Sequence, residues 1–480
     1  MIFSKSFLLE ALPYATFSVS GVTLEHDTVW DFIGIDHKGT VSIDSRSIEP
    51  GQLFVALHGA QSDGHKHLGD ALKKGALVLL IQESKKEFLS QIPAQDLAKK
   101  LVIIVPDTRT GLIDLAICVR KNLTCPVVGI TGSVGKTSTK EMVRTILSQT
   151  QLKYAVSFKN YNSIYGVCLN LLSIDLDVQA VVCEVGINGK GEMQEIANVL
   201  RPTIGLINCI VHAHALGLGS LEDISYEKRQ LFSNFSSTDV GIIFGDQAVL
   251  TDIYYAHPIA KFGFKTKNQV QARKVHIKDL GDNKFTTNFI LKWYGEKSPI
   301  ALQGNHGSLV HNALAASAIA YFLNISLHNV VAGLEKFQGF ENRFEAKKIK
   351  GTQSILYSDC YNANPESMKA ALAAFEQMTA KGTKIAVLGD MLELGPKEAY
   401  WHRQIGRFLY KTLSIELLIL VGERSKSIAK TAPVMMKTLF VKDWQGAKVT
   451  LEQVLTEEAL VLVKSSRGMN LLSMVKEITE

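Results

Sequence analysis

The chain has 480 residues, 46% hydrophobic and 20% charged, with a formal net charge of +6 at pH 7. This length predicts about three domains, with enough apolar material for sizeable cores. Because no apolar run approaches the ~20 residues that a membrane-spanning helix needs, we expect no membrane span. The modest positive charge suits an anionic small substrate and does not indicate nucleic acid binding.

The N-terminal sequence and the cysteine content both give an expectation of the cellular compartment of the protein. We expect no signal peptide, because Glu10 and Pro13 interrupt the early apolar stretch and no clean cleavage site follows. The six cysteines are scattered without a C-x-x-C pair, and several lie in apolar strand-like runs. This usage is typical of reduced core thiols in a cytoplasmic protein, without a disulfide framework or a zinc site.

Residues 1–107 form the first predicted domain. Two short runs, TVSID and GQLFVALHG, have the composition of strands. They are followed by a helical pattern, KHLGDALKKGA, and by two buried strands, ALVLLI and LVIIVPD. We therefore predict a small α/β domain at the N-terminus.

Residues 108–341 form the second predicted domain. The apolar runs PVVGIT, AVVCEVG, TIGLINCIV and VGIIFGD are separated by helical segments. This alternation predicts a mostly parallel sheet with crossover helices on its faces.

The pattern restarts in the third predicted domain, residues 342–480. Its predicted strands are SILYSDCY, KIAVLGDM, LLILVGE and ALVLVKSS, and PESMKAALAAFEQM reads as a helix. Pro365 suits the first turn of that helix. We predict a Rossmann-like open sheet here, so the fold class of the whole chain is α/β.

A glycine-rich loop follows the first strand of the second domain. Residues 127–140 read VVGITGSVGKTSTK, which departs from the usual G-x-x-x-x-G-K-[ST] because Ile130 stands at the first glycine position. A buried strand, a glycine turn and a helix beginning at Lys136 aim backbone N–H groups at a phosphate. A purely structural turn is the alternative, but it seldom carries G-K-T after a strand. We interpret the loop as an intact nucleoside triphosphate site.

Further candidate residues lie near the ends of later strands. Glu184 ends AVVCEVG, where a buried carboxylate is costly unless it is paired or bound to a metal. His212 and His214 follow LINCIV, and a pair of histidines there is compatible with metal binding or with a structural role. Lys228 lies in SYEKRQLF, which reads as the start of a helix, where a solvated surface lysine is the usual occurrence. Composition alone leaves each of these alternatives open.

Several motifs together resemble the Mur ligases, ATP-dependent amide-bond-forming enzymes of peptidoglycan synthesis. They are T-G-S-V-G-K-T-S-T-K-E from 131, E-V-G at 184–186, H-A-L-G-L-G-S from 214 and E-K-R-Q-L-F from 227. D-C-Y-N-A-N-P-E-S-M from 359 and G-D-M-L-E-L-G from 389 resemble the branch that adds a dipeptide. S-I-D-S-R and P-G-Q-L-F-V-A-L-H-G in the first domain are similar to the family's uridine-nucleotide-binding part.

The resemblance implies an activity and its substrates. The chain would join D-alanyl-D-alanine to UDP-N-acetylmuramoyl-tripeptide through an acyl phosphate, using ATP and Mg²⁺, as a cytoplasmic monomer. The first domain would bind the UDP-sugar and the second would bind ATP.

The resemblance also implies roles for individual residues. Lys136, Glu184, His214 and Lys228 would be catalytic. Mg²⁺ would bind Thr137, Glu184, His214 and Lys228, the last as a carbamate. The ATP contacts would be Gly132, Ser133, Val134, Gly135, Lys136, Thr137, Ser138, Asn305 or His306, Asn312, Arg343, Asp359 and Tyr361. The substrate contacts would be Ser45, Arg46 and Asn162.

Two positions depart from the family pattern. The family's N-N-x-x-G is Asn162-Ser163-Ile164-Tyr165-Gly166 here, and its H-N is His306-Gly307. The chain therefore lacks one side-chain amide that would face the substrate, at Ser163, and another that would face adenine, at Gly307.

Three other functions are alternatives to dipeptide addition. Two belong to the same class, a ligase that adds a single amino acid and a folyl-polyglutamate synthetase. The Y-N-A-N-P-x-S-M and G-D-M-x-E-L-G spellings disfavour both. A nucleotide-binding regulator or transport ATPase is the alternative from another class, and it would not need acceptors for ATP turnover.

Overall fold

The computed structural model describes residues 4–24, 41–59, 62–158, 160–212, 215–340 and 342–479. Within these residues the strands form three sheets, of six, nine and six strands. The chain divides into two compact units. The first comprises Met1–Gly129, Leu152–Ile187 and Glu192–Thr203, and the second comprises Ile130–Gln151, Asn188–Gly191 and Ile204–Glu480.

The first sheet lies in the first unit. Its strands are β1 (Thr16–Val19), β2 (Val22–Thr23), β3 (Val41–Ser42), β4 (Leu53–Val55), β5 (Val78–Gln82) and β6 (Leu101–Val105). Their order is β2-β1-β6-β5-β4-β3, in which β3 to β6 are parallel and β1 is antiparallel to both neighbours. The α-helices of this part of the chain are α1 (Lys5–Ala11), which precedes the strands, and α2 (Leu68–Lys73), α3 (Ala94–Leu97) and α4 (Thr108–Asn122).

A compact apolar core explains this sheet. Leu68 and Leu72 of α2 pack with Phe54, Leu79 and Ile81 of the parallel strands. The helix predicted from KHLGDALKKGA and the two buried strands after it are therefore confirmed. Thr40, which begins the predicted run TVSID, lies outside the described residues.

The second sheet is mostly parallel. Its strands are β7 (Val127–Thr131), β8 (Tyr154–Val156), β9 (Ala180–Glu184), β10 (Ile204–Ile207), β11 (Val240–Phe244), β12 (Ile259–Gly263), β13 (Val270–Asp279), β14 (Phe285–Trp293) and β15 (Glu296–Gln303). Their order is β15-β14-β13-β12-β11-β10-β7-β9-β8. The boundary between the two units falls within β7. The four strands predicted for this domain are all present.

Helices separate the strands of this sheet, as the sequence predicts. They are α5 (Lys136–Leu147), α6 (Ile164–Leu172), α7 (Glu192–Leu200), α8 (Ala215–Leu218), α9 (Leu221–Arg229), α10 (Ala248–Thr251), α11 (Leu309–Phe322) and α12 (Leu327–Glu335). Strands β13, β14 and β15 are an addition that the sequence analysis missed. They pair antiparallel, and β14 alternates between buried and partly exposed side chains along its whole length.

The third sheet lies at the end of the chain. Its strands are β16 (Glu345–Lys348), β17 (Ile355–Asp359), β18 (Lys384–Gly389), β19 (Leu417–Val421), β20 (Lys437–Val441) and β21 (Leu460–Lys464). Their order is β16-β17-β21-β18-β19-β20, and all are parallel except β16. The helices are α13 (Pro365–Glu376), α14 (Glu398–Phe408), α15 (Lys426–Ala429), α16 (Trp444–Val454) and α17 (Leu471–Ile478).

Apolar cores cover both faces of this sheet, which is typical of parallel strands. One core contains Met368 and Leu372 of α13, and the other contains Leu451 of α16 and Met474 of α17. Helix α13 begins as predicted, with Pro365 in its first turn and an Asn364 side chain that accepts a hydrogen bond from Ser367 N. All six cysteines lie in described residues and are free thiols, as expected.

Candidate active site

The glycine-rich loop connects β7 to α5. Gly132 and Gly135 have φ angles of 145° and 84°, which L side chains rarely adopt. Helix α5 begins at Lys136, whose Nζ donates a hydrogen bond to the Gly132 carbonyl at 2.8 Å. The predicted strand, glycine turn and helix are present, so backbone N–H groups at the start of α5 are available to an anion.

Residues just after β10 hold the loop in place. Ser133 N donates to Cys209 O at 2.8 Å, and the Ser133 hydroxyl donates to Val211 O at 3.0 Å. Asn208 stands beside both loop glycines and is fully buried. Asn208 carries no signal in the sequence, because an asparagine at a strand end has no distinctive spacing.

Lys228 lies in the last turn of α9, not at a helix start as predicted, because the helix already begins at Leu221. Its side chain is only 1% exposed. Ser220 and Asp223 form a capping box that fixes the start of this helix. Among the described residues, no hydrogen bond or ion pair holds the Lys228 ammonium. Burial lowers the pKa of Lys228 well below its ordinary value, and the positive charge of Lys136 lowers it further. The side chain is therefore no solvated surface lysine, and its environment favours the neutral amine.

Glu184 lies in the first unit, at the end of β9, and is 1% exposed. Its Oε1 accepts a hydrogen bond from Asn162 Nδ2 at 2.9 Å, and its backbone N donates to Ser157 Oγ at 3.0 Å. Asn162, predicted as a substrate contact, thus orients this carboxylate. Ser163, where the family has a second asparagine, caps α6 by accepting from Gly166 N.

Arg343 links the segment before the third sheet to the loop. Its Nη2 donates to the Thr137 hydroxyl at 3.1 Å, and its guanidinium lies 4.2 Å from the ring centroid of Tyr361. Asp359, predicted near ribose or phosphate, accepts a hydrogen bond from the buried Lys464 at 2.6 Å.

A cavity of about 520 Å³ in the second unit is lined by residues that include Asn305, His306, Arg343 and Tyr357. Asn305 Nδ2 donates to Ala374 O of α13 at 2.8 Å. Burial lowers the pKa of His306, so the ring is neutral near pH 7. Asn312 is 2% exposed and lies against the glycine loop, and it is not one of the described residues that line this cavity.

Ser45 and Arg46 lie in the first unit. Ser45 is buried in a short 3-10 turn, whereas the Arg46 side chain is 87% exposed. Arg46 forms a 2.8 Å ion pair with Asp44 and, through its hydrogen bond, lowers the pKa of that carboxyl to about 2. An exposed arginine and a buried hydroxyl are compatible with contact to an anionic nucleotide.

His214 lies outside the described residues, so its predicted metal contact stays a prediction. The ring of neighbouring His212 lies 4.8 Å from that of Trp401. Within the described ranges, no three His, Cys, Asp or Glu side chains are grouped as a metal site. The predicted Mg²⁺ ligands include a threonine hydroxyl and a modified lysine, which are not among these four residue types.

The parallel sheet, the strand–glycine turn–helix loop and the buried lysine beside it define a nucleoside triphosphate-binding α/β protein with three sheets. In the described parts of the chain, no helix is long and apolar enough to cross a membrane.

Comparison with known proteins identifies the family. Three Mur ligase models match the chain: the catalytic domain at residues 39–117, the middle domain at 130–320 and the glutamate ligase domain at 342–467. The UDP-N-acetylmuramoyl-tripeptide–D-alanyl-D-alanine ligase of Bacillus subtilis (strain 168) is 31% identical over 92% of this chain and 93% of that protein. The chain therefore belongs to the Mur ligase family.

Solved structures have the same fold. MurF from Acinetobacter baumannii superposes with a TM-score of 0.81 and 25% identity, covering 99% of this chain and 98% of that one. MurF ligase from Thermotoga maritima in complex with ADP has a TM-score of 0.76 and 21% identity, covering 92% of this chain and 96% of that one. The three-domain α/β architecture predicted from the sequence is confirmed.

Proposed function

We propose that the chain is an ATP-dependent ligase that joins D-alanyl-D-alanine to UDP-N-acetylmuramoyl-tripeptide, releasing ADP and phosphate. The observation that carries this proposal is the 31% identity with a ligase of that name, which extends over 92% of the chain. The glycine loop and Lys136 supply the phosphate-binding part of such an enzyme. The reaction belongs to cytoplasmic precursor synthesis, and we propose that the enzyme acts there as a monomer.

Each domain has its own substrate in this proposal. Residues 1–107 bind the uridine nucleotide, with Ser45 and Arg46 as contacts. Residues 108–341 bind ATP through the loop residues from Gly132 to Ser138. Residues 342–480 contribute Arg343, Asp359 and Tyr361 to the nucleotide.

The reaction has two steps. The terminal carboxylate of the tripeptide attacks the γ-phosphorus of ATP, forming an acyl phosphate and releasing ADP. The free amine of the dipeptide then attacks the acyl carbon, phosphate leaves and the amine loses a proton. Lys136 places a positive charge on the β- and γ-phosphates at the step where two anions meet, which lowers the barrier by electrostatic stabilisation.

The residues present fit Mg²⁺ by the chemistry of their donors. The Glu184 carboxylate and the Thr137 hydroxyl are hard oxygen ligands, the type that Mg²⁺ prefers. A protonated Lys228 would repel the ion, but its burial favours the neutral amine, which can take up CO₂ to form a carbamate with two anionic oxygens. We propose Thr137, Glu184, His214 and carbamylated Lys228 as the ligands. When bound, Mg²⁺ neutralises phosphate charge.

An acceptor panel tests this function. We expect purified enzyme with ATP and Mg²⁺ to release phosphate only when both UDP-N-acetylmuramoyl-tripeptide and D-alanyl-D-alanine are present. Mass spectrometry should show a product heavier than the tripeptide precursor by the dipeptide less water. Single amino acids, glutamate among them, should give no product.

Two results would contradict the proposal. Product formation with a single amino acid would indicate another Mur-type ligase. Phosphate release that is independent of both acceptors would indicate a regulatory or transport ATPase.

A further inference from the structure

Asn208, which is fully buried, and His311, which is partly buried, form a polar pair behind the glycine loop. Asn208 follows β10, and His311 lies in the first turn of α11. A Cβ atom on Gly132 would lie 2.8 Å from the Asn208 Cβ. A Cβ atom on Gly135 would lie nearest to Asn312 Oδ1, and 2.6 Å from Asn208 Nδ2. The Asn208 side chain therefore occupies the space behind both glycines at once, and it limits how far the loop can collapse.

Four hydrogen bonds fix the orientation of the Asn208 amide, and the longest runs from its Nδ2 to Asn312 Oδ1 at 3.5 Å. Its Nδ2 donates to Thr139 Oγ1 of α5 at 2.9 Å, and its Oδ1 accepts from Cys209 N at 3.0 Å. His311 Nε2 contacts the same Oδ1. Because that oxygen can only accept, His311 must donate from Nε2, and its ring must be the Nε2–H tautomer.

The surroundings of His311 keep it neutral. The ring packs edge-on against Phe244 and Phe262, with centroid separations of 4.4 and 5.2 Å. Burial lowers the pKa of His311 to about 4, although the charge of Asp246 acts in the opposite direction. The histidine thus presents one N–H to Asn208 over the whole physiological pH range.

We propose that His311 and Asn208 are positioning residues for ATP. His311 locks the Asn208 amide, and Asn208 holds the loop open at the separation that its N–H groups need to receive the phosphates. Nothing in the sequence pattern assigned them this role, and neither need touch the nucleotide. The inference rests on the proposed ATP site and adds the device that keeps it preorganised in the absence of ligand.

Two variants of His311 separate its hydrogen bond from its volume. His311→Phe keeps a ring between the two phenylalanines and removes the N–H donor. His311→Gln offers an amide N–H in place of the imidazole. We expect His311→Phe to raise the Kd for ATP about 10- to 100-fold, the usual size of an outer-shell effect, and His311→Gln to remain close to wild type. The KM for the UDP-tripeptide should not change.

Asn268 provides a matched control. It is 3% exposed, and its amide likewise fills the space behind two glycines, Gly245 and Gly263, with Nδ2 donating to Asp246 at 2.8 Å. Asn268→Ala should lower the unfolding temperature and leave the Kd for ATP unchanged. Thr139→Val, which keeps the shape of the side chain and removes the nearer of the two acceptors of Asn208 Nδ2, is the second test variant.

The readout is the Kd for ATP measured calorimetrically without acceptors, together with kcat and both KM values. Weaker ATP binding in His311→Phe and in Thr139→Val, but not in Asn268→Ala, supports the proposal. Unchanged ATP affinity in both test variants overturns it, as does an equal loss in Asn268→Ala. If His311→Phe does not fold, Thr139→Val alone decides in the same way. Failure of the wild-type protein to bind ATP would instead contradict the proposed function.

Discussion

At the scale of single residues, the burial of Lys228 leads to a specific prediction about the chemical form of its side chain. A buried ammonium without a counter-ion among the described residues is costly, and Lys136 adds a second positive charge nearby. Both effects favour the neutral amine, which is the form that reacts with CO₂. The carbamate would turn an unfavourable positive charge into a ligand for Mg²⁺.

Lys228→Ala should therefore be nearly inactive and be partly rescued by a short carboxylic acid such as acetate added to the buffer. The acid supplies the missing anionic oxygens. Lys136→Ala should lose about 10²–10³ or more in kcat and gain nothing from acetate, since its missing charge has the opposite sign. Initial rates of phosphate release with and without acetate are the measurement. Rescue of both variants, or full activity of Lys228→Ala, would contradict the carbamate.

His311 makes a second residue-scale prediction, about stability and pH. Its pKa is about 4 in the folded state and about 6.5 when unfolded. Between these values the unfolded chain binds more protons, so stability falls as the pH falls. When the pH falls from about 7.5 to about 5, His311 should lower the free energy of unfolding by about 2 kcal/mol.

The measurement compares urea unfolding of wild type and His311→Gln at both pH values. Wild type should lose more stability than the variant by that amount. Other groups, such as buried His402, whose pKa is also lowered by burial, are common to both proteins and cancel in the difference. Equal losses in the two proteins would show that His311 does not titrate as expected.

Candidate site residues can be predicted from the sequence where local pattern carries the information. The loop and Lys136 follow a strand directly, and Glu184 ends a buried strand, so both could be placed from composition. Asn208 could not be found, because its hydrogen bonds to Thr139 and His311 join residues 69 and 103 positions away. A contact of that kind depends on the packing of α5 and α11 against the sheet.

At the scale of elements, the buried parallel strands were easier to predict than the antiparallel ones. Runs such as LLILV are apolar throughout because both faces are covered. In β14 the buried positions, among them Phe289, Leu291 and Trp293, alternate with partly exposed ones. The sequence FTTNFILKW contains this alternation with a period of two residues, but a continuous apolar run is absent, and the predicted strands rest on such runs.

The packing of α12 on α5 makes a prediction about an element. A Cβ on Gly333 of α12 would lie 2.7 Å from Ile146 N and 2.8 Å from Thr145 O, both backbone atoms of α5. Gly333→Ala should force the helices apart and cost about 1–3 kcal/mol, more than alanine gains as a helix former. Because α5 begins at Lys136, the KM for ATP should rise as well.

Gly69→Ala is the matched control for this helix packing. Gly69 lies in α2, and a Cβ there would meet no heavy atom within 4 Å. This change should be neutral or stabilise by up to about 1 kcal/mol. Urea midpoints and ATP titrations of the two variants are the measurement, and similar behaviour of the two would rule out a packing effect at Gly333.

At the scale of the whole molecule, the third sheet and the ATP loop belong to one compact unit. Asn305 of the loop before α11 donates to Ala374 O at 2.8 Å. Asn283 and Thr379 exchange two hydrogen bonds of 2.8 Å. Arg343 reaches the loop itself through Thr137. Nucleotide bound at the loop should therefore stabilise the third domain as well as the second.

Arg343 gives the test of this coupling. Within the described parts of the chain, its buried Nε has no hydrogen-bond partner, while Nη2 donates to the Thr137 hydroxyl, so the guanidinium keeps a donor available to a ligand at the loop. ADP at about 100 times its Kd should stabilise the wild-type protein by about 2.7 kcal/mol. If Arg343→Ala raises the Kd about tenfold, about 1.3 kcal/mol of that stabilisation is lost at the same ADP concentration. Arg424→Ala, which removes a third-domain arginine paired with Glu398 at 2.7 Å, should keep the full ADP effect. Thermal unfolding with and without ADP measures all three proteins, and an unchanged ADP shift in Arg343→Ala would show that Arg343 does not contribute to nucleotide binding.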